Sequence, residues 1–416
     1  MEHSANKTGQ LRIGYLIPEF PAQTHIFFWR EILALRELGV DTVLVSTRRP
    51  AQGTISHRWA ESAMRDTHYL FSKNWFDWIA ALFFLLRRSA SNIGSLAAAL
   101  GDEEYAGVRG RLNLMASLMV ASRLARFVQA HRLTHVHVGS CGRSAEIAAL
   151  GSILGGFTYS LSMLGPSFST YGRQHRLKWR HVAFGLFQSQ MLVQEGRQRL
   201  GPDFPKRYAQ APVGVDTDRM HRMQPYQPWR PGDPCRLYSC GRLNPVKGHE
   251  DVIDAVCLLR TRGIDASLVI GGEDERGGTG YRLNVEKHIL KRDASKFVQL
   301  LGAVSEETNR SQYQAAHVYV MGSHDEAAGA VAAMEAMAMA TPVVMCRAGA
   351  TAELITDGED GLLTEPRRPE QIADAVEKVL RDPSLAEHLR RNGRKKIQSQ
   401  YSHRISAEAL CRFLEE

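Results

Sequence analysis

Short apolar runs alternate with longer amphipathic stretches along most of the chain. Residues 11–17 form a β-prone run, residues 25–38 have helical spacing and are followed by Gly39, and residues 41–46 form a second apolar run. A strand, a helix and a strand in this order predict a βαβ unit of a parallel sheet.

A long helical stretch is predicted over 58–131, and it contains one strongly apolar segment. Residues 75–86, WFDWIAALFFLL, carry two tryptophans at one end and are followed by Arg87 and Arg88. The apolar run is shorter than the roughly 20 residues that a membrane-spanning helix needs. Two interpretations remain open: a buried domain helix, or a helix that lies on a membrane surface.

The same alternation returns after residues 134–138, which predict a strand followed by a turn at 139–143 and a further helix. Residues 211–234 are rich in Pro, Arg and Gly and predict a connection between domains. Beyond this connection, the predicted strands are 236–240, 266–270, 297–301, 318–321, 342–345 and 361–364. The predicted helices between and after them are 248–262, 281–292, 309–316, 330–339 and 369–380.

This pattern predicts an α/β protein with two doubly wound domains. We expect an N-terminal acceptor-binding domain over 1–211, a C-terminal donor-binding domain over 212–395, and a final helix at 396–416 that packs back towards the N-terminal domain. Ligands of such sheets bind at the carboxyl ends of the strands, so the cleft between the domains is the expected site.

Composition narrows the choice of partner. The 416 residues carry a net charge of +8, which favours an anionic partner such as a nucleotide or a phospholipid surface. No nucleic-acid-binding module is recognisable, so nucleic acid is not expected. The six cysteines form no C-x-x-C pair and the first 11 residues lack an apolar core, which favours a cytoplasmic protein with reduced thiols.

One glycine-rich loop has the composition of a phosphate site. Residues 241–248, GRLNPVKG, follow a predicted strand and precede a predicted helix. Arg242 and Lys247 place two cations near a helix N-terminus, which itself favours anions, and a diphosphate fits this arrangement. The alternative is a tight turn with solvated charges.

Two glutamates bracket a run of small residues at 323–335, SHDEAAGAVAAME. Glu335 lies in a helical run of small and apolar residues, where a carboxylate is costly to bury without a partner. It can accept hydrogen bonds from the vicinal hydroxyls of a ribose. Glu326 lies in the preceding loop, where a sugar could reach it, or it is a solvated loop acid.

These stretches, together with VGVDTDRM at 213–220 and AGATAELITDGEDGLL at 348–363, resemble the retaining GT-B glycosyltransferases of family four. The chain looks most like the bacterial exopolysaccharide-assembly members. The resemblance is dense over 213–400 and thinner at 11–45 and 134–200. It implies two Rossmann-like domains facing a central cleft, a UDP- or GDP-sugar donor, no metal and no separate cofactor.

The resemblance also implies roles for individual residues. Arg242 and Lys247 match the ligands of the donor diphosphate, which neutralise charge on the leaving group. Together with Glu326 they are the predicted catalytic residues. The predicted donor-binding residues are Glu335 on the ribose, Gly241, Val304 near the base, and Gly349, Ala350 and Thr351, whose turn brings backbone N–H groups to phosphate or sugar.

The chain departs from the family pattern around the two glutamates. Eight residues separate them where the family has seven, and Ala327 stands at the family spacing. Either a one-residue insertion near Gly329–Ala330 has displaced Glu326, or the first glutamate is lost. In addition, Ala340 replaces a common glycine, which is a mild change if its backbone φ is negative.

A further departure concerns the acceptor side. Leu164 stands where the family often has a histidine near the donor sugar, and leucine makes no hydrogen bonds. The predicted acceptor-side residues are His25, His137, Arg143 and Gly165, although His137 can also be read as an ordinary strand histidine. A basic cluster around Trp179 is either a solvated helix face or a landing site for a lipid diphosphate. Its members are Arg173, His175, Arg176, Lys178, Arg180 and His181.

The leading hypothesis is a retaining, metal-independent hexosyltransferase of exopolysaccharide biosynthesis. It predicts a nucleotide-sugar donor, a polyprenyl-linked saccharide acceptor, and a cytoplasmic location with peripheral contact at the inner membrane surface. One alternative is a non-catalytic nucleotide-sugar-binding subunit of a polysaccharide assembly complex. The other is a sugar-nucleotide epimerase on the same fold.

Overall fold

Two parallel β-sheets, one in each half of the chain, organise the molecule. A computed structural model describes residues 11–22, 25–50, 59–71, 73–100, 107–165, 167–171, 175–326 and 330–416. Helices flank both sheets, and the described sheet pairings are all parallel. The predicted α/β class with two doubly wound sheets is therefore confirmed.

The N-terminal sheet has the order β3-β2-β1-β4-β5-β6-β7. Its strands are β1 (Arg12–Glu19), β2 (Asp41–Arg48), β3 (His68–Tyr69), β4 (His135–Val138), β5 (Thr158–Met163), β6 (Gly185–Phe187) and β7 (Tyr208–Gln210). Strand β1 pairs with both β2 and β4, so the strand order reverses between β1 and β4. Such a switch point leaves a crevice at the carboxyl ends of the two strands.

The helices of the N-terminal half are more fragmented than the sequence predicts. They are α1 (Ile26–Glu37), α2 (Ala60–Asp66), α3 (Trp75–Ser91), α4 (Ile93–Leu100), α5 (Gly107–Ala130), α6 (Arg143–Gly155), α7 (His175–Trp179) and α8 (Gln190–Leu200). Within its described residues, the predicted helical stretch 58–131 thus contains four helices and the short strand β3. The prediction missed β3 because a two-residue strand has no hydrophobic period.

Helix α3 is covered on one side only. Ala81 and Leu85 are buried, and the helix packs on α5. Trp78 and Phe84 are partly buried against the core. The large apolar side chains on the other side of the helix are exposed, namely Trp75, Phe76, Ile79, Leu82, Phe83 and Leu86. Among the described helices, none is long and apolar enough to cross a bilayer. The segment is therefore neither a spanning helix nor the fully buried domain helix of the first interpretation.

The C-terminal sheet has the order β10-β9-β8-β11-β12-β13, with its switch point between β8 and β11. Its strands are β8 (Cys235–Cys240), β9 (Ala266–Gly271), β10 (Val298–Gly302), β11 (Val318–Met321), β12 (Val343–Cys346) and β13 (Leu362–Thr364). The helices of this half are α9 (His249–Thr261), α10 (Arg282–Lys291), α11 (Glu306–Ala315), α12 (Val331–Ala338), α13 (Thr351–Leu354), α14 (Pro369–Arg381), α15 (Pro383–Gln400) and α16 (His403–Glu415).

The last helix crosses over to the N-terminal domain. Ala407 and Leu410 of α16 are fully buried in the same apolar cluster as Ile32 of α1. At the crossing, Val215 bridges to Ser402, and the two backbones run so close that a Cβ on Gly214 would lie 2.2 Å from the Ser402 carbonyl carbon. The two chain connections between the domains therefore run side by side.

Candidate active site between the two domains

A cavity of about 470 Å³ lies where the carboxyl ends of the two sheets face each other. Loops that follow β1, β4 and β5 form one wall, and loops that follow β8, β9, β10 and β11 form the other. Both topological switch points thus open onto the same space, as expected for ligand sites of this fold class. The predicted site residues that line it are His25, Gly165, Gly241, Arg242, Lys247, Val304, Glu326 and Glu335.

Lys247 and Glu326 come from the two loops at the β8/β11 switch point. Between them, Gly248 has a φ of +59°, and a Cβ there would lie 2.0 Å from the carbonyl oxygen of Gly322. Only glycine allows this close approach, which brings the two loops together. As a result, the Lys247 ammonium donates to Oε1 of Glu326, and Ser323 Oγ donates to the same oxygen at 2.7 Å.

Glu326 lies inside the cavity although its spacing from Glu335 departs from the family pattern. Its side chain is largely buried, and its backbone carbonyl accepts a hydrogen bond from the Ala350 amide at 2.6 Å. Residues 327–329 lie outside the described residues. They include Ala327 and Gly329, so the insertion expected near Gly329–Ala330 stays a prediction. The described part of the loop nevertheless places a carboxylate beside Lys247.

The turn at 348–351 supports Glu326 and does not line the cavity, which corrects its predicted place. Gly349 has a φ of +56°, and a Cβ there would lie 2.6 Å from the Glu326 carbonyl oxygen. The Ala350 amide is used on that same carbonyl, so it is not available to a phosphate. The Thr351 hydroxyl is buried and donates to the Cys346 carbonyl at 2.8 Å.

Arg242 and Lys247 are the lysine and arginine side chains that line the cavity among the described residues. The Arg242 side chain is about half exposed, and its Nη1 donates to Glu275 at 2.7 Å. Behind the loop, His249 Nε2 donates to the Arg242 carbonyl at 3.2 Å. Burial lowers the pKa of His249 to about 4, so a neutral imidazole holds this loop at neutral pH.

The carboxylate of Glu335 makes an ion pair that the sequence did not reveal. Its Oε1 accepts from Nη2 of Arg30 at 2.8 Å, and its Oε2 accepts from the Tyr313 hydroxyl at 3.3 Å. Arg30 belongs to α1 of the opposite domain, is almost fully buried, and also lies 3.3 Å from Glu306. Its Nη1 is buried without a hydrogen-bond partner among the described residues. The two domains are therefore joined by a buried ion pair at the predicted ribose position.

The described part of the N-terminal wall of the cavity is nearly neutral. Burial lowers the pKa of His25 to about 4; the Glu19 backbone carbonyl opposes this shift and the charge of Arg242 adds to it. His25 Nδ1 is buried and makes no regular hydrogen bond within the described chain. Leu164 lines the same wall beside Gly165. A neutral imidazole and an apolar side chain thus face the cations of the other domain.

His137 does not reach the cavity, which corrects its placement on the acceptor side. Its ring is fully buried in the sheet, with Nδ1 at 2.8 Å from Ser160 Oγ and Nε2 at 3.0 Å from Ser162 Oγ. Burial lowers its pKa to about 3, and the charge of His135 adds to the effect. Ser160 of β5 is the register partner of His137, and Ser162 lies on the same face of that strand, so both hydroxyls are within reach of the ring.

Arg143 also lies away from the cavity, and it lines a second cavity in the N-terminal domain instead. The basic cluster around Trp179 is interrupted as well. Lys178 and Trp179 are buried, and the Lys178 ammonium donates to the Tyr171 carbonyl at 2.8 Å. Arg176 and Arg180 both lie near Asp203. Arg173 lies outside the described residues. The described members of the cluster therefore do not form a continuous basic surface.

Comparison with known proteins identifies the class of the C-terminal domain. Residues 227–396 match the family model of glycosyl transferases group 1. The alpha-D-kanosaminyltransferase of Streptomyces kanamyceticus is 33% identical over 178 residues, which cover 43% of this chain and 44% of that protein. A GDP-mannose-dependent alpha-(1-6)-phosphatidylinositol dimannoside mannosyltransferase of Mycobacterium tuberculosis is 32% identical over 204 residues, 48% of this chain and 50% of that protein.

The curated relatives also include the capsular polysaccharide biosynthesis glycosyltransferase CapM of Staphylococcus aureus, which is 29% identical over 170 residues. That match covers 41% of this chain and 43% of CapM. The chain thus spans about half the length of the curated relatives it matches. The sequence similarity supports a glycosyltransferase domain and leaves the activity of the whole protein to be proposed.

Solved structures match over almost the entire chain. Anabaena HepE in complex with UDP-glucose has a TM-score of 0.74 at 14% identity and covers 98% of this chain and 100% of its own. The sucrose-phosphate synthase of Thermosynechococcus elongatus has a TM-score of 0.70 at 16% identity and covers 97% of this chain and 98% of its own. At such identities the likeness concerns the fold, and it confirms the GT-B architecture of two facing α/β domains.

Proposed function

We propose that the protein is a retaining glycosyltransferase that moves a hexose from a UDP- or GDP-sugar to a lipid-linked saccharide in exopolysaccharide biosynthesis. One observation carries the proposal: Arg242, Lys247, Glu326 and Glu335 line a single cavity at a topological switch point, facing a second domain. Two cations and two carboxylates in that arrangement can bind both the anionic and the hydroxyl-bearing parts of a nucleotide-sugar.

Leaving-group stabilisation is the chemical role we assign to the cations. As the bond from the sugar to the diphosphate breaks, negative charge develops on the departing phosphate oxygens. Arg242 and Lys247 neutralise this charge, with no metal assigned to the task, and such preorganised stabilisation is usually the largest catalytic contribution. A bound diphosphate competes with Glu326 for the Lys247 ammonium, and this frees Glu326 to accept hydrogen bonds from the donor sugar.

Glu335 is assigned to the ribose of the donor. Arg30 and Tyr313 fix the orientation of its carboxylate, and each carboxylate oxygen keeps a further lone pair that can accept from a ribose hydroxyl. Two similar proteins support a nucleotide-sugar donor, since the Mycobacterium tuberculosis enzyme is GDP-mannose-dependent and Anabaena HepE was solved with UDP-glucose.

The exposed face of α3 supports an acceptor held at a membrane. Trp75, Phe83 and Leu86 are each at least 60% exposed, and Arg87 and Arg88 follow them in the sequence. An apolar helix face bordered by tryptophans and arginines is typical of helices that lie in the membrane interface. We therefore place the protein in the cytoplasm, in peripheral contact with the inner face of the membrane. CapM, a relative by sequence, is named for capsular polysaccharide biosynthesis.

A donor panel tests the proposal. Purified protein is incubated with UDP- and GDP-hexoses, a polyprenyl-diphosphate-linked saccharide and anionic vesicles, and nucleoside diphosphate release and product anomers are measured. We expect release that depends on the acceptor, with retention of the anomeric configuration. Nucleotide binding without transfer to any acceptor would instead indicate a non-catalytic binding subunit. Conversion of the donor without any acceptor would indicate an epimerase.

The role of Glu326 has its own test within that assay. Glu326→Ala removes the carboxylate that faces Lys247, and we expect transfer to fall at least tenfold while nucleotide affinity holds or rises. Glu275→Ala, at an exposed partner of Arg242, is the matched control. Full activity of Glu326→Ala would show that the first glutamate of the family pattern is functionally lost in this chain.

A further inference from the structure

A second cavity, of about 520 Å³, lies in the N-terminal domain next to the cleft. Residues of α5 and α6 and the ends of β1 and β2 line it. Its walls are mainly apolar and include Phe71, Ala116, Val120 and Ile147. Pro18 lines both this cavity and the cleft, so the two spaces are neighbours.

Two arginines give this apolar cavity a positive rim. Arg143 is the first residue of α6, a helix of 13 residues, and its side chain is exposed. Its guanidinium therefore reinforces the positive end of the helix dipole. Arg48 contributes a second guanidinium whose Nε lies 2.6 Å from Glu19, so part of its charge is already neutralised. The rim keeps a net positive charge from the arginines.

One buried hydroxyl in the wall makes no hydrogen bond. Ser117 of α5 is 2% exposed, and its Oγ has no partner within the described chain. Buried polar groups in folded proteins are nearly always paired, so this hydroxyl is an unsatisfied group within the wall, although Oγ itself has almost no accessible surface. The cavity thus offers apolar area and positive charge together.

The cavity also reaches the surface beside α3. Phe71 lines the cavity, is 56% exposed, and its ring contacts that of the half-buried Trp78 of α3 with centroids 5.6 Å apart. An aliphatic chain could therefore enter beside Phe71, and a head group bound at the rim would lie close to the cleft. This position is suited to a ligand with one apolar end and one anionic end.

We propose that this cavity binds an aliphatic diphosphate, with the first units of the chain against the apolar walls and the diphosphate at Arg143 and Arg48. Given the proposed function, the ligand is the lipid part of the acceptor. Its saccharide then extends past Pro18 into the cleft. The apolar walls select the chain and the arginines select the anion, so neither part alone binds well.

Titration of the full-length protein with farnesyl diphosphate tests this assignment. We expect saturable binding by calorimetry below the micelle concentration, and at least tenfold weaker binding of farnesol and of inorganic diphosphate. Arg143→Ala removes the charge, and Ala116→Phe fills the cavity at an exposed position of α5 that tolerates a larger side chain. Each variant is expected to weaken binding at least tenfold. Arg109→Ala, an exposed arginine of the same helix α5, is the matched control and should bind as the wild type does.

Several outcomes would overturn the assignment. These are no saturable binding, equal binding of inorganic diphosphate, or unchanged affinity in both Arg143→Ala and Ala116→Phe. Affinity for UDP and GDP, measured on every variant, reports whether the cleft remains folded. If farnesyl diphosphate binds as expected but no sugar is transferred to any acceptor, the proposed function fails and the cavity assignment stands. If transfer occurs and Ala116→Phe leaves the KM for the lipid-linked acceptor unchanged, the cavity assignment fails and the function stands.

Discussion

The two walls of the cleft are chemically unlike. The C-terminal wall carries Arg242, Lys247 and several carboxylates, which are Glu273, Glu306, Glu326 and Glu335. The described part of the N-terminal wall carries the neutral His25 and apolar or aromatic side chains such as Phe28 and Leu164. The charges that can stabilise a leaving group thus lie on one domain, and the other domain supplies shape and a low-dielectric surface that strengthens those charges.

The similarity to known proteins also differs between the two domains. The matched family model covers 227–396, within the C-terminal half, while the N-terminal half is matched mainly through its fold. Under the proposed function, this division corresponds to a donor-binding domain that resembles those of other glycosyltransferases in sequence and an acceptor-binding domain that resembles them in fold. Arg30 is the exception, because it is an N-terminal residue whose charge acts inside the C-terminal wall.

Of the changes that test this contrast between the walls, removal of the Lys247 ammonium should have the largest effect, and the quantity affected is kcat. Lys247→Met keeps the aliphatic length and removes the charge. We expect kcat for transfer to fall by about 10³, since the loss of one group aimed at developing negative charge costs about 10²–10³ in kcat. Steady-state kinetics with the preferred donor measures the change.

Lys291→Met, on the same domain but away from the cleft, is the matched control and should keep wild-type kcat. A Lys247→Met enzyme within threefold of wild type would show that the charged wall does not carry the catalysis. Thermal unfolding of both variants separates loss of function from loss of fold, because Lys247→Met also leaves Glu326 without its cation.

The next largest effect is expected from breaking the ion pair that joins the walls. Arg30→Met leaves the buried carboxylate of Glu335 and the partly buried carboxylate of Glu306 without their cation, and such a loss costs about 3 kcal/mol of unfolding free energy. Glu335→Gln in the same background removes part of the uncompensated charge, so the double variant should regain a measurable part of the loss. Urea unfolding of the wild type, both single variants and the double variant gives the coupling free energy.

The exposed ion pair between Arg404 of α16 and Glu37 of α1 is the control for the buried pair. Both of its side chains are more than half exposed, so Arg404→Ala should cost less than about 1 kcal/mol. If Arg30→Met cost no more than Arg404→Ala, the buried ion pair would not hold the domains together. Arg30 would then act through its interaction with a bound ligand and not through the stability of the folded protein.

A smaller effect is expected on stability at acid pH. Protonation of His137, in the N-terminal sheet, makes the unfolding free energy depend on pH. Its pKa is about 3 in the folded protein and about 6.5 when unfolded, so the unfolded state binds the proton more tightly. Stability is therefore full above pH 6.5 and falls as the pH drops towards 3. From these two values, His137 accounts for a loss of about 2 kcal/mol between pH 7 and pH 5.

His137→Gln removes this titration and keeps a polar side chain beside Ser160 and Ser162. Unfolding in urea at pH 7 and at pH 5 should show a difference about 2 kcal/mol smaller than in the wild type. His388→Gln, at an exposed position of α15, should leave the difference unchanged. An unaltered difference in His137→Gln would show that His137 does not take up the additional proton on unfolding at pH 5.

The sequence predicted those features that local patterns determine. The hydropathy periods predicted both parallel sheets. The composition of two loops indicated Arg242, Lys247 and Glu326, the helical run after the second loop indicated Glu335, and all four line one cavity. Arg30 could not be predicted, because in the sequence it is an ordinary arginine of an amphipathic helix. Its ion pair depends on how α1 docks against α12. His137 misled for a related reason, since a position near a strand end does not reveal the direction of the ring.

Ala340 gives a further comparison between pattern and structure, because the condition for a mild change at this position, a negative φ, is not met. Its φ is +50°, in the left-handed region that glycine adopts without strain. Ala340→Gly should therefore raise the unfolding free energy by about 0.5–1 kcal/mol, although glycine loses more chain entropy on folding. Ala375→Gly, inside helix α14 with ordinary helical geometry, should have the opposite effect and lower stability by about 1 kcal/mol. Urea unfolding of both variants decides the matter: a loss of stability in Ala340→Gly would show that the contacts of the buried methyl group outweigh the strain of the left-handed backbone.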